Sequence, residues 1–302
     1  MQRPAKPLTP VRFRIQPPLN IMKIGIIGYG FVGKALEAGI TNSAKILKID
    51  PKLNSKIDDL IDFDPDAIFI CVPTPMNKDS SQDISVLRNV IDEIIKLNLK
   101  ALIIVKSTVL PKYIKKIENV IPEFVYNPEF LREKHAAEDF INSKLIVFGG
   151  SLDSCKDLEN IYNNYTKCIS NDYIFTDPTA ASLIKYSINS FLATKVTFFN
   201  ELKQLFKKSG TKSSWEEFIN AMSRDERVGN SHMQVPGHDG RLGFGGACLP
   251  KDSNAFSKYA DEIDTPLNVL KTVINTNNNI RASYNTQTER ESDQNIKFKV
   301  DN

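Results

Sequence analysis

A chain of 302 residues is long enough to bury two cores, and 41% hydrophobic with 25% charged residues is the balance of a soluble globular protein. The net charge of +3 is too small to imply a nucleic-acid partner, although a phosphate-bearing ligand needs only a local positive site. Cys71, Cys155, Cys168 and Cys248 form no C-x-x-C pair, His135, His232 and His238 share no helical spacing, and no apolar run reaches the roughly 18 residues of a membrane helix. No disulfide framework, metal site or membrane partner is therefore expected, and a reducing cytoplasmic setting is.

Residues 1–21 are basic and broken by prolines, without the apolar core of a signal peptide; they are expected to form a disordered arm. Residues 23–28 (KIGIIG) read as a buried parallel strand. The strand runs into Gly28-Tyr29-Gly30-Phe31-Val32-Gly33, a G-x-G-x-x-G, and then into a helical segment, KALEAGI. A second strand, 45–49, ends at Asp50. Strand, glycines, helix, strand and acid make up the dinucleotide-binding pattern in its structural context. The glycines permit a tight turn and close approach to a pyrophosphate, the helix start faces the phosphates, and Asp50 takes ribose hydroxyls. A carboxylate there repels a 2′-phosphate, which favours NAD over NADP. An ordinary tight turn is the plainer reading of the glycines alone.

Residues 66–72 (DAIFICV) form the next expected strand, stopped by Pro73-Thr74-Pro75 at the end where ligands bind in such sheets; Thr74 is thus a candidate cofactor contact. A helix over 85–97 and a strand over 101–106 precede Ser107-Thr108-Val109, and Pro111 opens another helix. In the segment Asn127-Pro128-Glu129-Phe130-Leu131-Arg132-Glu133, the two glutamates share one face if the segment is helical. Paired carboxylates could do acid–base work; a solvated helix start is the plainer alternative. Residues 145–149 complete the strands. A doubly wound, Rossmann-like α/β domain over 22–177 follows.

From residue 178 the pattern turns helical. Residues 179–208 keep apolar residues at helical spacing, with Lys185 and Asn189 on one face. Short helices over 215–222, 252–261 and 266–280 make a helical second domain over 178–282, and 283–302 are expected to be a loosely held tail. Within this domain Gly243–Asp252 (GFGGACLPKD) sets Cys248 in a glycine-rich turn followed by Lys251 and Asp252. Nearby cations or a helix start would lower a thiol pKa from about 8.5 and make Cys248 a nucleophile; a buried structural cysteine is the competing reading.

Taken together, GYGFVG, CVPTP, KSTVLP, NPEFLRE, KYSINSFLATKVTFFNEL and GFGGACLPKD resemble, in order, the motifs of the UDP-glucose/GDP-mannose dehydrogenase family, from residue 22 to about 281. The resemblance implies oxidation of a nucleotide-sugar primary alcohol to the carboxylate, with reduction of two NAD. It implies that Cys248 traps the aldehyde as a thiohemiacetal and carries the later thioester. Lys185 and Asn189 match the positions that hold the oxyanion and the sugar, and Asp252 and Thr108 those that hold the water. Glu133 matches a residue of thioester hydrolysis, and Glu129, Phe130, Leu131, Arg132 and Gly245 fall in substrate-contacting segments. Thr74, Thr108 and Lys251 match cofactor contacts beside Gly28, Gly30, Phe31, Val32, Gly33 and Asp50. The resemblance further implies a homodimer built on the helix beginning near Thr179. Arg227 and Arg241 are both candidates for a substrate phosphate.

Two departures stand out. Family members carry a further carboxy-terminal nucleotide-binding domain, for which this sequence leaves no room. The stretch between Asp50 and the 66–72 strand is also shortened, which puts the adenosine side of the cofactor site in question, and the loop PGHDGRLGFGG is extended. UDP-glucose oxidation is the expected function, with GDP-mannose as the alternative substrate and a non-catalytic NAD-binding remnant as the alternative role. A two-electron hydroxyacid dehydrogenase would share the two-domain plan and a Lys-x-x-x-Asn but would need no cysteine.

Overall fold

Strand β1 (Met22–Ile27) lies one strand in from the edge of the first domain's sheet, and its inner residues Ile24 and Ile26 are fully enclosed. The computed structural model describes residues 21–299, so the amino-terminal arm expected over 1–21 lies almost wholly outside the described residues. The other strands are β2 (Ala44–Ile49), β3 (Ala67–Ile70), β4 (Leu102–Val105), β5 (Val125–Tyr126), β6 (Ile146–Gly149) and β7 (Tyr173–Thr176). They form one sheet in the order β2-β1-β3-β4-β5-β6-β7. Pairing is parallel from β2 through β5, and the single contact of β6 with β5, at Tyr126 and Gly149, is antiparallel. The fold is the expected doubly wound sheet with one reversed step at its far edge.

Both faces of the sheet are covered, which is why its strands read as unbroken apolar runs. Ile27, Ile68, Ile70, Ile103 and Val105 pack against α3 (Ser85–Leu97) and α4 (Pro111–Glu118). Ile24, Ile26, Phe69, Ile104 and Phe148 face α1 (Phe31–Gly39), α5 (Ala136–Ile141) and α6 (Leu152–Tyr165). In the shortened stretch after Asp50 there is only a 3₁₀ turn at Pro51–Leu53 and the short helix α2 (Asp59–Phe63), and β1 pairs directly with β3. The order therefore reverses between β1 and β3, and the crevice where such sheets bind ligands opens there.

Helix α7 (Pro178–Lys208) runs uninterrupted for 31 residues. Asp177 caps it by accepting from the Ala180 N–H at 2.9 Å, and Pro178 takes the first helical position, where its missing N–H costs nothing. It packs on β6 and α4 in the first domain and on α9 (Leu249–Glu262) and α10 (Asn268–Arg281) in the second. Its inner stripe reads Ala181, Ser182, Lys185, Tyr186, Asn189, Ala193, so a lysine and an amide are carried inward with the apolar residues. Helix α8 (Trp215–Met222) is fixed by a capping box between Ser214 and Glu217.

Two expectations are corrected. The segment from Asn127 to Arg132 is not helical; only Glu133–His135 makes a 3₁₀ turn, so Glu129 and Glu133 share no helical face. The proline in this segment disfavours a helical Asn127, and the chain here is pulled extended out of β5. Nor are the described residues of the carboxy-terminal stretch, 283–299, loosely held. They form α11 (Glu289–Asp293) and bury Glu291 and Ile296.

Candidate active site

The glycine turn sits at the carboxyl end of β1. Gly28 has φ +90, and a Cβ there would lie 2.7 Å from the Cys71 carbonyl carbon, so only glycine fits beside β3. A Cβ on Gly33 would meet the Gly28 carbonyl oxygen at 2.3 Å. A Cβ on Gly30 would meet nothing within 4 Å, and no side chain caps the start of α1. The turn is thus closed on the protein side and open where a pyrophosphate approaches, with the N–H groups of Phe31 and Val32 at the helix start. Asp50 receives the Tyr29 N–H at 2.7 Å and the Lys52 N–H at 2.9 Å, which sets its carboxylate at the edge of the same turn. Thr74 donates to the Thr108 carbonyl at 2.8 Å, tying the end of β3 to the end of β4. These residues fit a bound dinucleotide.

The cysteine turn delivers Cys248 to the start of α9, one residue before Leu249. On one side, Lys185 (3% exposed) donates from Nζ to the Glu129 carbonyl at 2.5 Å and to Glu129 Oε1 at 3.1 Å. On the other, Asp252 (1% exposed) receives Asn189 Nδ2 at 2.6 Å and Lys251 Nζ at 2.5 Å. The first domain contributes Glu129, α7 contributes Lys185 and Asn189, and α9 contributes Lys251 and Asp252. Glu129, Asp252, Lys185 and Lys251 all act on the charge of Cys248.

The sign of that action departs from the sequence expectation. Burial first, then the Glu129 and Asp252 carboxylates, push the Cys248 thiol up to about 12, over the opposing pull of Lys185 and Lys251. Cys248 rests as a thiol. Burial also works against the Lys185 ammonium, but Glu129, then Asp252, outweigh it and hold its pKa above the ordinary lysine value. The expected consequence is that carbamidomethylation of Cys248, followed by peptide mass spectrometry, rises about tenfold per pH unit from 7 to 9 with no plateau. A plateau near neutral pH would mean a stabilised thiolate instead.

Other expected residues are placed elsewhere. Glu133 is half-exposed and pairs with Arg290 of α11 at 2.6 Å. Arg132 is exposed and holds Asp139 at 2.6 Å. Phe130 lies under the Lys185 ammonium, 5.3 Å from ring centre to Nζ, and the Leu131 N–H donates to Glu129 Oε2 at 2.6 Å. Gly245 backs onto Arg281 and Glu291. Arg227 is bound to Asp225 on an exposed loop, and Arg241 donates to the Thr286 carbonyl at 2.6 Å.

Two buried polar residues went unread in the sequence. Gln82 donates to the Thr108 carbonyl at 2.7 Å and to the Tyr186 hydroxyl at 3.0 Å, and accepts from the Leu110 N–H, locking Thr108 to α7. Lys106, in the KSTVLP stretch, donates to Asn127 Oδ1 at 2.8 Å and to the Tyr162 hydroxyl at 3.3 Å, holding the start of the Asn127–Glu129 turn. Burial pushes its pKa down to about 8, against the pull of Cys71 and Glu129. Only the lysine within an otherwise apolar strand end could have signalled it. Among the described residues, no group of three His, Cys, Asp or Glu side chains could hold a metal ion, and no helix is long and apolar enough to cross a membrane.

A doubly wound sheet with an open glycine turn at its switch point, joined by a long helix to a second, helical domain, defines a two-domain dinucleotide-binding protein. The sequence profile of the UDP-glucose/GDP-mannose dehydrogenase family, NAD binding domain, matches residues 52–166, and that of the family's central domain matches residues 179–279. A UDP-glucose 6-dehydrogenase of Rickettsia bellii is 35% identical over 220 residues, covering 70% of this chain and 49% of its own length. One from Rickettsia typhi is 30% identical over 300 residues, covering 85% of this chain and 67% of its own. Among solved structures, a UDP-glucose dehydrogenase from Pyrobaculum islandicum superposes with TM-score 0.71 at 25% identity, over 87% of this chain and 69% of that one. The chain belongs to the UDP-glucose/GDP-mannose dehydrogenase family, and its first domain is the NAD-binding domain of that family. It spans about half the length of several of the curated relatives it matches, 49% for the Rickettsia bellii protein.

Proposed function

We propose that the chain oxidises the primary alcohol of a nucleotide sugar, UDP-glucose to UDP-glucuronate in the first instance, in two successive two-electron steps through Cys248. The observation that carries this reading is the convergence of Glu129, Lys185, Lys251 and Asp252, the last held by Asn189 and the set drawn from both domains, on one cysteine at a helix start. NAD, when bound at the Gly28–Gly33 turn, supplies the hydride acceptor for each step.

The chain's own residues do the rest. The sulfur of Cys248 adds to the aldehyde carbon, and the thiol proton ends on the former carbonyl oxygen as a thiohemiacetal forms. Lys185 steadies the negative charge that builds on that oxygen. Its ammonium has three donors, and Glu129 takes two. After the second oxidation the sugar is a thioester on Cys248. Water breaks the C–S bond, releasing the carboxylate and returning the thiol. Asp252, fixed between Asn189 and Lys251, orients that water together with Thr108, and Glu129, held by Lys185, does the acid–base work.

NADH formation at 340 nm tests the reading: two NADH per UDP-glucose are expected. One NADH per sugar would point to a two-electron dehydrogenase. None with UDP-glucose, GDP-mannose or N-acetylhexosamine nucleotides, despite NAD binding, would mean a non-catalytic binder.

We also propose a homodimer built on α7. Its outer face exposes Leu183, Phe191, Phe198 and Leu205 at spacings of seven and eight residues, with Phe191 at 65% exposure. An apolar stripe of that kind asks for a self-complementary partner. Light scattering should report a dimer for the wild type and a monomer for Phe191→Glu with an unchanged melting temperature. A wild-type monomer at micromolar concentration would overturn this. The cytoplasm, where the four free thiols persist, is the proposed setting.

A further inference from the structure

We propose that residues 288–299 form a strap that holds the Cys248 turn against the NAD-binding domain, with Glu291 as the positioning residue for that turn. The inference rests on the reading of Cys248 as the nucleophile. Two adjacent residues of α11, Arg290 and Glu291, point opposite ways.

Glu291 points into the helical domain and is fully buried. One carboxylate oxygen takes the Thr288 N–H at 2.8 Å, closing a capping box; the other takes the Gly246 N–H at 3.3 Å, two residues before Cys248. Arg281, itself 2% exposed, stands between Glu291 at 3.9 Å and Asp239 at 2.7 Å. Gly245 rests directly on this pair. A Cβ there would come within 2.4 Å of Glu291 Oε1 and 2.0 Å of an Arg281 nitrogen. The turn has glycine at this position because the strap's ion pair fills the space of a side chain. Gly243 and Gly246 both have positive φ, so the turn has little stiffness of its own and takes its shape from what backs it.

Arg290 points the other way. It pairs with Glu133 at 2.6 Å and lies 5.7 Å from the ring centre of Phe31, the first residue of α1. Further on, the Gln294 carbonyl accepts the Met76 N–H at 3.2 Å, Ile296 is buried, and Lys299 donates to the Lys78 carbonyl at 3.2 Å. One short segment is thus tied to the cysteine turn and to two separate loops at the cofactor end of the sheet. A buried carboxylate survives only when paired, and removing this one leaves Arg281, whose Nε and Nη1 already lack hydrogen-bond partners, with Asp239 as its remaining counter-charge beneath the turn.

The test compares wild type, Glu291→Ala and Glu291→Gln in the full chain. It reads the melting temperature, kcat, KM for NAD, and the carbamidomethylation rates of Cys248 and Cys168. For Glu291→Ala the expectation is a Cys248 alkylation rate raised at least about fivefold with Cys168 unchanged, and kcat lowered by about tenfold or more with KM for NAD within about twofold. Glu291→Gln keeps an acceptor for Gly246 and should recover part of both effects. Wild-type alkylation and wild-type kcat in a folded Glu291→Ala would overturn the proposal. Should that variant not fold, Arg290→Ala decides, since it cuts the link to Phe31 and Glu133 and leaves the buried carboxylate in place. Faster Cys248 alkylation supports the strap, and an unchanged rate overturns it. The alkylation readout needs no turnover, so it judges the strap even if Cys248→Ser proves the nucleophile assignment wrong.

Discussion

Replacing Cys248 by serine is expected to lower net NADH production from a nucleotide sugar by roughly a thousandfold or more while leaving NAD binding and the melting temperature close to wild type. The site explains both halves of that expectation. The sulfur is the nucleophile whose charge Glu129, Asp252, Lys185 and Lys251 all act on, and a serine hydroxyl in its place meets the same carboxylates with a far higher pKa. Serine is nearly isosteric and leaves the Gly28–Gly33 turn, on the other side of the cleft, untouched. With burial and the two carboxylates pushing the Cys248 thiol up to about 12, its proton is expected to leave as the sulfur attacks the aldehyde. The wild-type rate should therefore not show the inflection near neutral pH that a preformed thiolate gives. Two NADH per sugar from the serine variant at an undiminished rate would remove Cys248 from the mechanism.

The parts of this site that were legible in the sequence are those set by spacing along one element. Gly28, Gly30, Gly33 and Asp50 lie on a strand–turn–helix–strand unit whose geometry is local. Lys185 and Asn189 are one helical turn apart, and Asp252 is one turn beyond Cys248. What was not legible depends on contacts across the chain. Gln82 reaches Tyr186 over 104 residues, and Glu291 reaches Gly246 over 45. Nothing in the periodicity around either residue marks the partner. The segment Asn127–Glu133 reads as a helix start in the sequence, but its course is decided by Lys106 and Lys185, which grip it from the end of β4 and from α7. The thiol's pKa also escaped the sequence. Counting Lys251 and a helix start as neighbours favours a thiolate, whereas burial beside two carboxylates reverses the sign. The tail is polar in composition, yet its buried members are the charged Glu291 and a single Ile296, a pattern that hydropathy reads as solvent-exposed chain.

Lys185→Met should damage stability and turnover together, and a second substitution should separate them. Methionine fills the lysine's volume without its charge, leaving the Glu129 carboxylate buried with no cation, which typically costs about 3–5 kcal/mol. For a chain of this size that is a fall in melting temperature of the order of 10 °C. Loss of one preorganised donor at a developing oxyanion lowers kcat by roughly 10² to 10³. In Lys185→Met/Glu129→Leu no buried charge is left unpaired, so the melting temperature should return toward wild type. Turnover should not return, because the ammonium is still missing and the acid–base carboxylate has gone with it. Recovery of both would reduce Lys185 to a structural partner of Glu129. Recovery of neither would place the stability loss outside the pair, in the packing of α7 against the Asn127–Glu129 turn. The outcome expected here, stability restored and catalysis absent, separates the role of the ion pair in holding two domains together from its role in the chemistry between them.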